Sequence, residues 1–336
     1  MTGVRPHLSA LDLAIVSEGK TSSDALQETT VFAQRADALG LTRFWVAEHH
    51  NMRTVASTSP AVLIAHLAAS TDRIRVGSGG VMLPNHPPLV VAEQFAMLEA
   101  LHPGRIDLGI GRAPGTDHAT AAALRRSPAA LGAEDFPLHL LDLMGLLGDV
   151  RTEAGLWSQF AATPVSTSTP WVALLGSSGY SAELAGYLGL PFSFAHHFDR
   201  SSLAETARAF ELYRQAFRPS PMLDDPYAIV SANVLTAETR DEAEWFALPG
   251  RLVLLARHSG RFEPLKPPEV AATHPSLEEA RALPTNRIVG TPDEAVDRLE
   301  ELAGLTHAAE VMVSTVTYAL PERLDSLERL ARAWLS

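Results

Sequence analysis

The chain has no cysteine among its 336 residues. That absence excludes disulfides, thiolate catalysis and Cys-ligated zinc or iron–sulfur centres. The net charge is −12 and no basic run occurs, so nucleic acid and anionic membranes are poor partners, because phosphate binding depends on clustered Lys and Arg. No apolar run reaches the about 18 residues of a membrane span, and residues 1–10 lack the apolar core of a signal peptide. These absences favour a cytoplasmic protein with no membrane partner.

The composition is that of a folded protein. Apolar residues make up 46% of the chain and charged residues 20%, which is enough apolar surface for a sizeable core and too little charge for disorder. The length suits one large α/β barrel or two ordinary domains. We expect a single domain over residues 1–336.

Strand-like and helix-like segments alternate along the chain. The second, third and fourth predicted strands begin at residues 43, 73 and 105, which is the spacing of a repeated right-handed β-α unit. A long segment at 112–137 and an irregular one at 247–284 interrupt this alternation of strands and helices. The pattern predicts an α/β fold, a (β/α)8 TIM barrel with insertions after strands 4 and 7, and the alternative is a doubly wound open sheet. The eight predicted strands are 11–16, 43–47, 73–77, 105–110, 171–175, 191–194, 227–235 and 311–316.

The second predicted strand ends in Glu48, His49 and His50. In parallel α/β folds the carboxyl ends of strands carry the ligand site, so titratable groups here are candidate functional residues. His49 and His50 are adjacent, so on extended backbone their side chains point to opposite sides. The sequence also lacks a helical pair of the H-E-x-x-H kind. We therefore expect no metal centre.

Three further strand ends are candidate binding segments. The third strand runs into the glycine-rich stretch 77–80, which is either a bulge or a place where a flat group meets the backbone. Arg112 follows the fourth strand and is either a surface ion-pair residue or a bidentate clamp for a phosphate or carboxylate. The turn at 176–181 is either an ordinary Ser-capped helix start or a phosphate site of free N–H groups and hydroxyls. None of them is the G-x-G-x-x-G dinucleotide fingerprint.

Segments 43–51, 73–84 and 103–117 together resemble the bacterial luciferase-like flavin monooxygenase family. They are most similar to its non-luminescent single-chain branch. The resemblance is dense from about residue 8 to 118, returns at 171–197 and is loose at 291–316. It implies a (β/α)8 barrel that binds reduced FMN at the carboxyl ends of its strands.

The resemblance also assigns roles to individual positions. His49 corresponds to the family's catalytic histidine, and Gly79-Gly80 to a non-proline cis peptide beneath the flavin ring. Arg112 corresponds to the phosphate-binding arginine, and the segment Ser177, Ser178, Gly179, Tyr180 and Ser181 to the phosphate loop. The luciferases' reactive cysteine has no counterpart, because Gly111 stands in its place. His50 and His196 are further candidates for contact with substrate.

The functional expectation is an FMN-dependent monooxygenase that uses O2 on a small, moderately apolar organic substrate. Because a dinucleotide fingerprint is lacking, reduced FMN would come from a separate NAD(P)H:flavin reductase. An F420-dependent dehydrogenase or reductase of the same superfamily is the alternative, and a non-catalytic flavin-binding protein is a third hypothesis. We expect a homodimer, with the apolar helix at 60–69 as a candidate dimer face.

Overall fold

Among the residues that the structure describes, eight parallel strands close into a barrel. The structure is a computed structural model and describes residues 5–113, 116, 118–125, 135–198 and 201–336. The barrel strands are β1 (His7–Asp12), β2 (Arg43–Val46), β3 (Arg75–Met82), β4 (Ile106–Gly111), β5 (Trp171–Gly176), β6 (Phe192–Phe194), β7 (Ala228–Thr236) and β9 (Glu310–Ser314). They pair in the order β6-β5-β4-β3-β2-β1-β9-β7, and β6 also pairs with β7, which closes the ring.

The predicted (β/α)8 barrel is therefore confirmed, with its insertions after the fourth and seventh strands. A short strand, β8 (Ile288–Gly290), lies outside the ring and pairs only with the end of β7. No helix of the described residues is long and apolar enough to cross a membrane. The helices are α1 (Ser22–Ala38), α2 (Pro60–Ala69), α3 (Pro88–Leu101), α4 (His118–Arg125), α5 (Phe136–Leu146), α6 (Gly179–Tyr187), α7 (Leu203–Ala216), α8 (Arg240–His258), α9 (Pro268–Ala272), α10 (Leu277–Ala282), α11 (Pro292–Thr306) and α12 (Leu320–Leu335).

Two sequence expectations need correction. The first strand was expected at 11–16 and lies at His7–Asp12, because its ladder with β9 begins at His7, opposite Glu310. The start of the segment expected to be irregular, 247–284, belongs to the long helix α8. That helix contains Pro249 and is held by the burial of its apolar face, including Leu248 and Leu252. Burial outweighs the about 3 kcal/mol that a proline costs a helix interior.

The barrel has two distinct apolar layers. The larger one fills the space between the strands and the surrounding helices. The smaller one lies inside the ring and consists of alternate residues of the strands, because side chains of a strand point to opposite faces with a period of two. Its buried members are Leu11, Trp45, Ala173, Ile229 and Met312.

An ion cluster closes the amino-terminal end of the barrel interior. Arg43 donates from Nε to Glu310, 2.8 Å away, and from Nη1 to Asp107, 2.9 Å away. Its guanidinium lies 4.1 Å from the centre of the Trp171 ring. Burial pulls the pKa of Arg43 down, but the two carboxylates outweigh it and leave the pKa raised. The buried charges of the cluster therefore join β2, β4 and β9, and the Trp171 ring adds β5 to them.

We expect Arg43→Met to lower the free energy of unfolding by about 3–5 kcal/mol, because the buried Glu310 carboxylate loses its pairing with Arg43 and Asp107 keeps one of its two cations, Arg75. Urea denaturation at neutral pH measures the change. Arg35→Met is the matched control: Arg35 pairs with Glu328 at 3.0 Å on the surface, with 44% of its side chain exposed, and should cost about 0–1 kcal/mol. Equal losses in the two variants would contradict the stabilising role of the buried cluster.

Candidate functional site

His49 lies at the carboxyl-terminal mouth of the barrel on the inward-facing series of β2. Arg43 and Trp45 of that strand point into the barrel, and the alternation continued through Ala47 brings His49 to the same side. The His49 N–H donates to the carbonyl of Ser57, 3.1 Å away. The Ser57 hydroxyl in turn donates to the Ala47 carbonyl. The backbone that carries His49 is thus held beside the open end of the barrel.

Glycines of β3 form one wall of this mouth. The peptide bond between Gly79 and Gly80 is cis, as the resemblance predicted. A Cβ on Gly79 would lie 2.8 Å from Leu11 Cδ1, and a Cβ on Gly80 would lie 2.7 Å from the carbonyl oxygen of Gly109. Backbone therefore excludes a side chain at Gly80, and a side chain at Gly79 would have to displace Leu11. Gly79 is partly exposed and presents main chain to the mouth.

Arg112 and the start of α6 meet at the neighbouring part of the rim. The Arg112 guanidinium lies 4.4 Å from the centre of the Tyr180 ring, so the ends of β4 and β5 bring these two predicted residues together. The first turn of α6 begins at Gly179 after Ser178, and no side chain caps it. N–H groups in a first helical turn lack intrahelical acceptors. A cation and a helix N-terminus therefore adjoin, and together they suit an anion.

The serines of this turn differ in their exposure. Ser177 and Ser178 are exposed and can meet a ligand. Ser181 is only 3% exposed, and its side chain lies where a Cβ on Gly176 would stand. The Ser181 hydroxyl is packed beneath the turn. Ser181 therefore offers a ligand at the first turn of α6 its backbone N–H and not its hydroxyl.

The two histidines after β6 point to different sides. Phe192 and Phe194 pack outward against Phe210 of α7. His196 continues that outward series; it is 3% exposed and its Nδ1 lies 2.9 Å from the Thr206 hydroxyl of α7. It is therefore buried behind the strand, although the sequence analysis proposed it for substrate contact.

His197 takes the inward position that the sequence analysis did not single out. Its Nδ1 lies 2.5 Å from the Ser231 hydroxyl, which donates to the Phe194 carbonyl 3.0 Å away. Since that hydroxyl proton is used, the His197 ring proton lies on Nδ1 and the Nε2 lone pair is left as an acceptor. Burial, aided by the charges of His196, Arg257 and His49, lowers the pKa of His197 to about 3.

Glu48 joins the ends of β2 and β3. Its carboxylate is fully buried and its Oε1 lies 2.8 Å from Nε2 of both His50 and His86. Its Oε2 accepts the Met82 N–H at 3.0 Å. Burial raises the pKa of Glu48, but these hydrogen bonds outweigh it and the pKa is lowered. His50, a predicted substrate contact, thus has its ring bonded to Glu48, and the sequence analysis had not considered His86.

The insertion after β4 is tied to the end of β2. The Thr116 hydroxyl donates to the His50 carbonyl, 3.1 Å away, and Asn51 donates to the Thr120 hydroxyl of α4 at 3.0 Å. Residues 114, 115, 117 and 126–134 of the long segment predicted at 112–137 lie outside the described residues. The described part of the insertion lies beside His49.

The fold places this chain in the class of (β/α)8 barrel proteins, and comparison with known proteins identifies its family. The family model described as luciferase-like monooxygenase matches residues 9–308. The chain therefore belongs to the luciferase-like monooxygenase family. It is 38% identical to a luciferase-like monooxygenase of Escherichia coli strain K12, over 98% of this chain and 97% of that protein. It is 33% identical to the N-acetyl-S-alkylcysteine monooxygenase of Bacillus subtilis, over 98% of each chain.

Solved structures agree with that assignment. The crystal structure of apo-MsnO8 superposes with a TM-score of 0.87 at 36% identity and covers 98% of this chain and 99% of that one. Two more distant structures share the fold alone. They are the oxygenating constituent of 3,6-diketocamphane monooxygenase from Pseudomonas putida in complex with FMN, at 19% identity, TM-score 0.72 and 98% coverage of each chain, and an F420-dependent secondary alcohol dehydrogenase, at 15% identity, TM-score 0.70 and coverage of 98% and 99%.

We expect the His197 ring to stay neutral, with its proton on Nδ1, down to at least about pH 5, because protonation would place a charge in a partly buried position beside other cationic groups. Isotope-edited NMR of labelled histidine reports both the tautomer and the titration. The folded-state pKa lies below the unfolded value of 6.5, so folding stability falls as pH drops below 6.5, by at most about 1.4 kcal/mol per pH unit.

His197→Asn should therefore flatten the acid limb of the stability curve between about pH 6 and 4. A His197 ring that titrates near neutrality would refute the assignment.

Proposed function

We propose that this chain is an FMN-dependent monooxygenase, which uses reduced FMN and O2 to oxygenate a small, moderately apolar organic substrate at the barrel mouth. The observation that carries the proposal is the arrangement of three features on one rim. A glycine wall at Gly79-Gly80, an anion site at Arg112 and α6, and the inward-facing His49 adjoin the same opening.

The residues present fit FMN. A planar ring system needs a surface without projecting side chains, and the close contacts around Gly79 and Gly80 leave room for none. A phosphate needs a cation and free N–H groups, and Arg112 lies over Tyr180 at the first turn of α6. Bound reduced FMN would supply the electrons that activate O2.

The side chains and N–H groups of the mouth would position the flavin and the substrate, shield them from water and exchange protons with them. Arg112 and the first turn of α6 would hold the phosphate. His49 would exchange protons with the reacting groups, because an imidazole can both donate and accept a proton. The Nε2 lone pair of His197 would accept a hydrogen bond from the substrate or the flavin. The insertion after β4, held by Thr116, would exclude water, which strengthens every electrostatic interaction within.

F420-dependent hydride transfer is the second candidate, supported by the fold shared with an F420-dependent secondary alcohol dehydrogenase. Preferential binding of F420 over FMN, with substrate reduction or oxidation in the absence of O2, would favour it. A non-catalytic flavin-binding protein is the third candidate, and it would leave the reaction of bound reduced flavin with O2 unchanged from that in free solution.

Two partners belong to the proposal. Reduced FMN would come from a separate NAD(P)H:flavin reductase. A second copy of the chain would pack on the outer face of α2 and α3, where Val62 is 72%, Met97 54% and Leu101 64% exposed. The name of the Bacillus subtilis relative makes N-acetyl-S-alkylcysteines the first substrates to screen.

We expect Arg112→Ala to weaken FMN binding about 10- to 100-fold, the effect of losing a charged hydrogen bond worth about 1.5–3 kcal/mol. Flavin fluorescence quenching measures the affinity. Riboflavin, which lacks the phosphate, is the matched control ligand and should bind the wild type and the variant alike. An equal loss for both flavins would mean that Arg112 does not contact the phosphate.

We expect His49→Ala to keep FMN affinity within about threefold and to reduce substrate oxygenation by at least about 100-fold, the usual range for a lost acid–base group. The measurement compares product formed with reduced FMN consumed, and hydrogen peroxide should account for the difference. His66→Ala is the control histidine, outside the mouth. Undiminished oxygenation by His49→Ala would remove the catalytic role of His49.

A further inference from the structure

Glu48, His50 and His86 bring three metal-ligand atoms together at the edge of the mouth. One carboxylate oxygen and two imidazole nitrogens all lie within 4.8 Å of one another. The nitrogens come from different segments, since His50 follows β2 and His86 follows β3. Histidines that are close together in the chain do not reveal this site, because the fold brings His86 to Glu48 from a different strand end.

The partners of Glu48 differ from those of the buried carboxylates at the floor of the barrel, Asp107 and Glu310. Asp107 and Glu310 are paired with the permanent cation of Arg43. The ion pairs recorded for Glu48 within the described ranges are with His50 and His86 alone, and these carry charge only when protonated. The fully buried Glu48 carboxylate thus lies against two imidazole nitrogens, and the three atoms together form a donor set of mixed nitrogen and oxygen ligands.

The donor set and its access suit a transition metal. Imidazole and carboxylate ligands bind Zn²⁺ at about 2.0–2.2 Å, which puts neighbouring ligand atoms about 3.3 Å apart in a tetrahedron. The Nε2 atoms of His50 and His86 lie 2.8 Å from Glu48 Oε1. Small side-chain shifts would therefore make room for the ion. Each ring would then carry its proton on Nδ1, which leaves Nε2 to bind the metal. The side chains of His50 and His86 are 16% and 30% exposed, which opens a path from solvent.

We propose that Glu48, His50 and His86 form a binding site for one divalent transition-metal ion of the Zn²⁺ type, with water in the remaining coordination position. Two histidines and a carboxylate with an open position are a common donor set for such ions. Because His50 follows His49, and Met82 ends the strand that carries Gly79-Gly80, the ion would join the two strand ends that flank the mouth. The site does not depend on the flavin proposal.

The test is metal binding by the full chain after treatment with a chelator. Calorimetric titration with Zn²⁺ should give one equivalent per chain, and Co²⁺ should give the visible absorption bands of a nitrogen- and oxygen-ligated ion. Zn²⁺ should also raise the thermal unfolding midpoint, because it binds the folded state. Mg²⁺, which prefers all-oxygen sites, should neither bind measurably nor displace Zn²⁺.

Variants assign the binding to these residues. His86→Ala should weaken Zn²⁺ binding by more than about tenfold, since even the loss of an outer-shell partner costs that much. The fold should persist, because Glu48 keeps His50 and the Met82 N–H. His66→Ala is the control and should bind like the wild type. Non-stoichiometric binding, or equal binding by wild type and His86→Ala, would overturn the proposal and leave the cluster as hydrogen bonds alone.

Discussion

The buried ion cluster around Arg43 is the constraint on which the geometry of the mouth depends. Arg43 bonds Asp107 and Glu310, which belong to β4 and β9, and so fixes the register of β2 at the floor of the barrel. Side chains alternate with a period of two, so a slip of one residue would turn every inward side chain outward. With Arg43 inward, His49 six positions later is inward as well. The floor thus sets the orientation of the candidate catalytic residue.

The alternation of apolar runs and turns is a strong signal for a barrel, and the sequence predicted each of the eight closing strands. Their ends were harder to predict. The apolar run to Val16 extends past β1, and only the pairing of His7 with Glu310 defines where the strand begins. Helix α8 was not predicted because Pro249 is a local signal against helix, whereas the packing that retains it involves α9 and α10, the next two helices of the chain.

The candidate site was predictable where the signal was local. The glycine stretch, Arg112 and the turn before α6 each stand at a strand end, and the structure brings Arg112 and Tyr180 into contact. The inward position of His197 could not be predicted from the alternation along β6, because that strand ends at Phe194 and His196–Phe198 form a 3-10 turn. The meeting of His86 with Glu48 could not be predicted either, since it requires the chain after β3 to return beside the end of β2.

The glycine wall of β3 limits how the pocket can change. A side chain on Gly80 would collide with the backbone of Gly109, and one on Gly79 with Leu11 and Trp45. A substitution at Gly80 therefore requires the backbone of β4 to move, whereas one at Gly79 requires the Leu11 side chain to shift. Adaptation to a different molecule is easier in the insertions after β4 and β7, because loops tolerate changes in length and composition. The part of the pocket beside Gly80 is thus fixed by main-chain contacts, and the part beside the insertions is free to diverge.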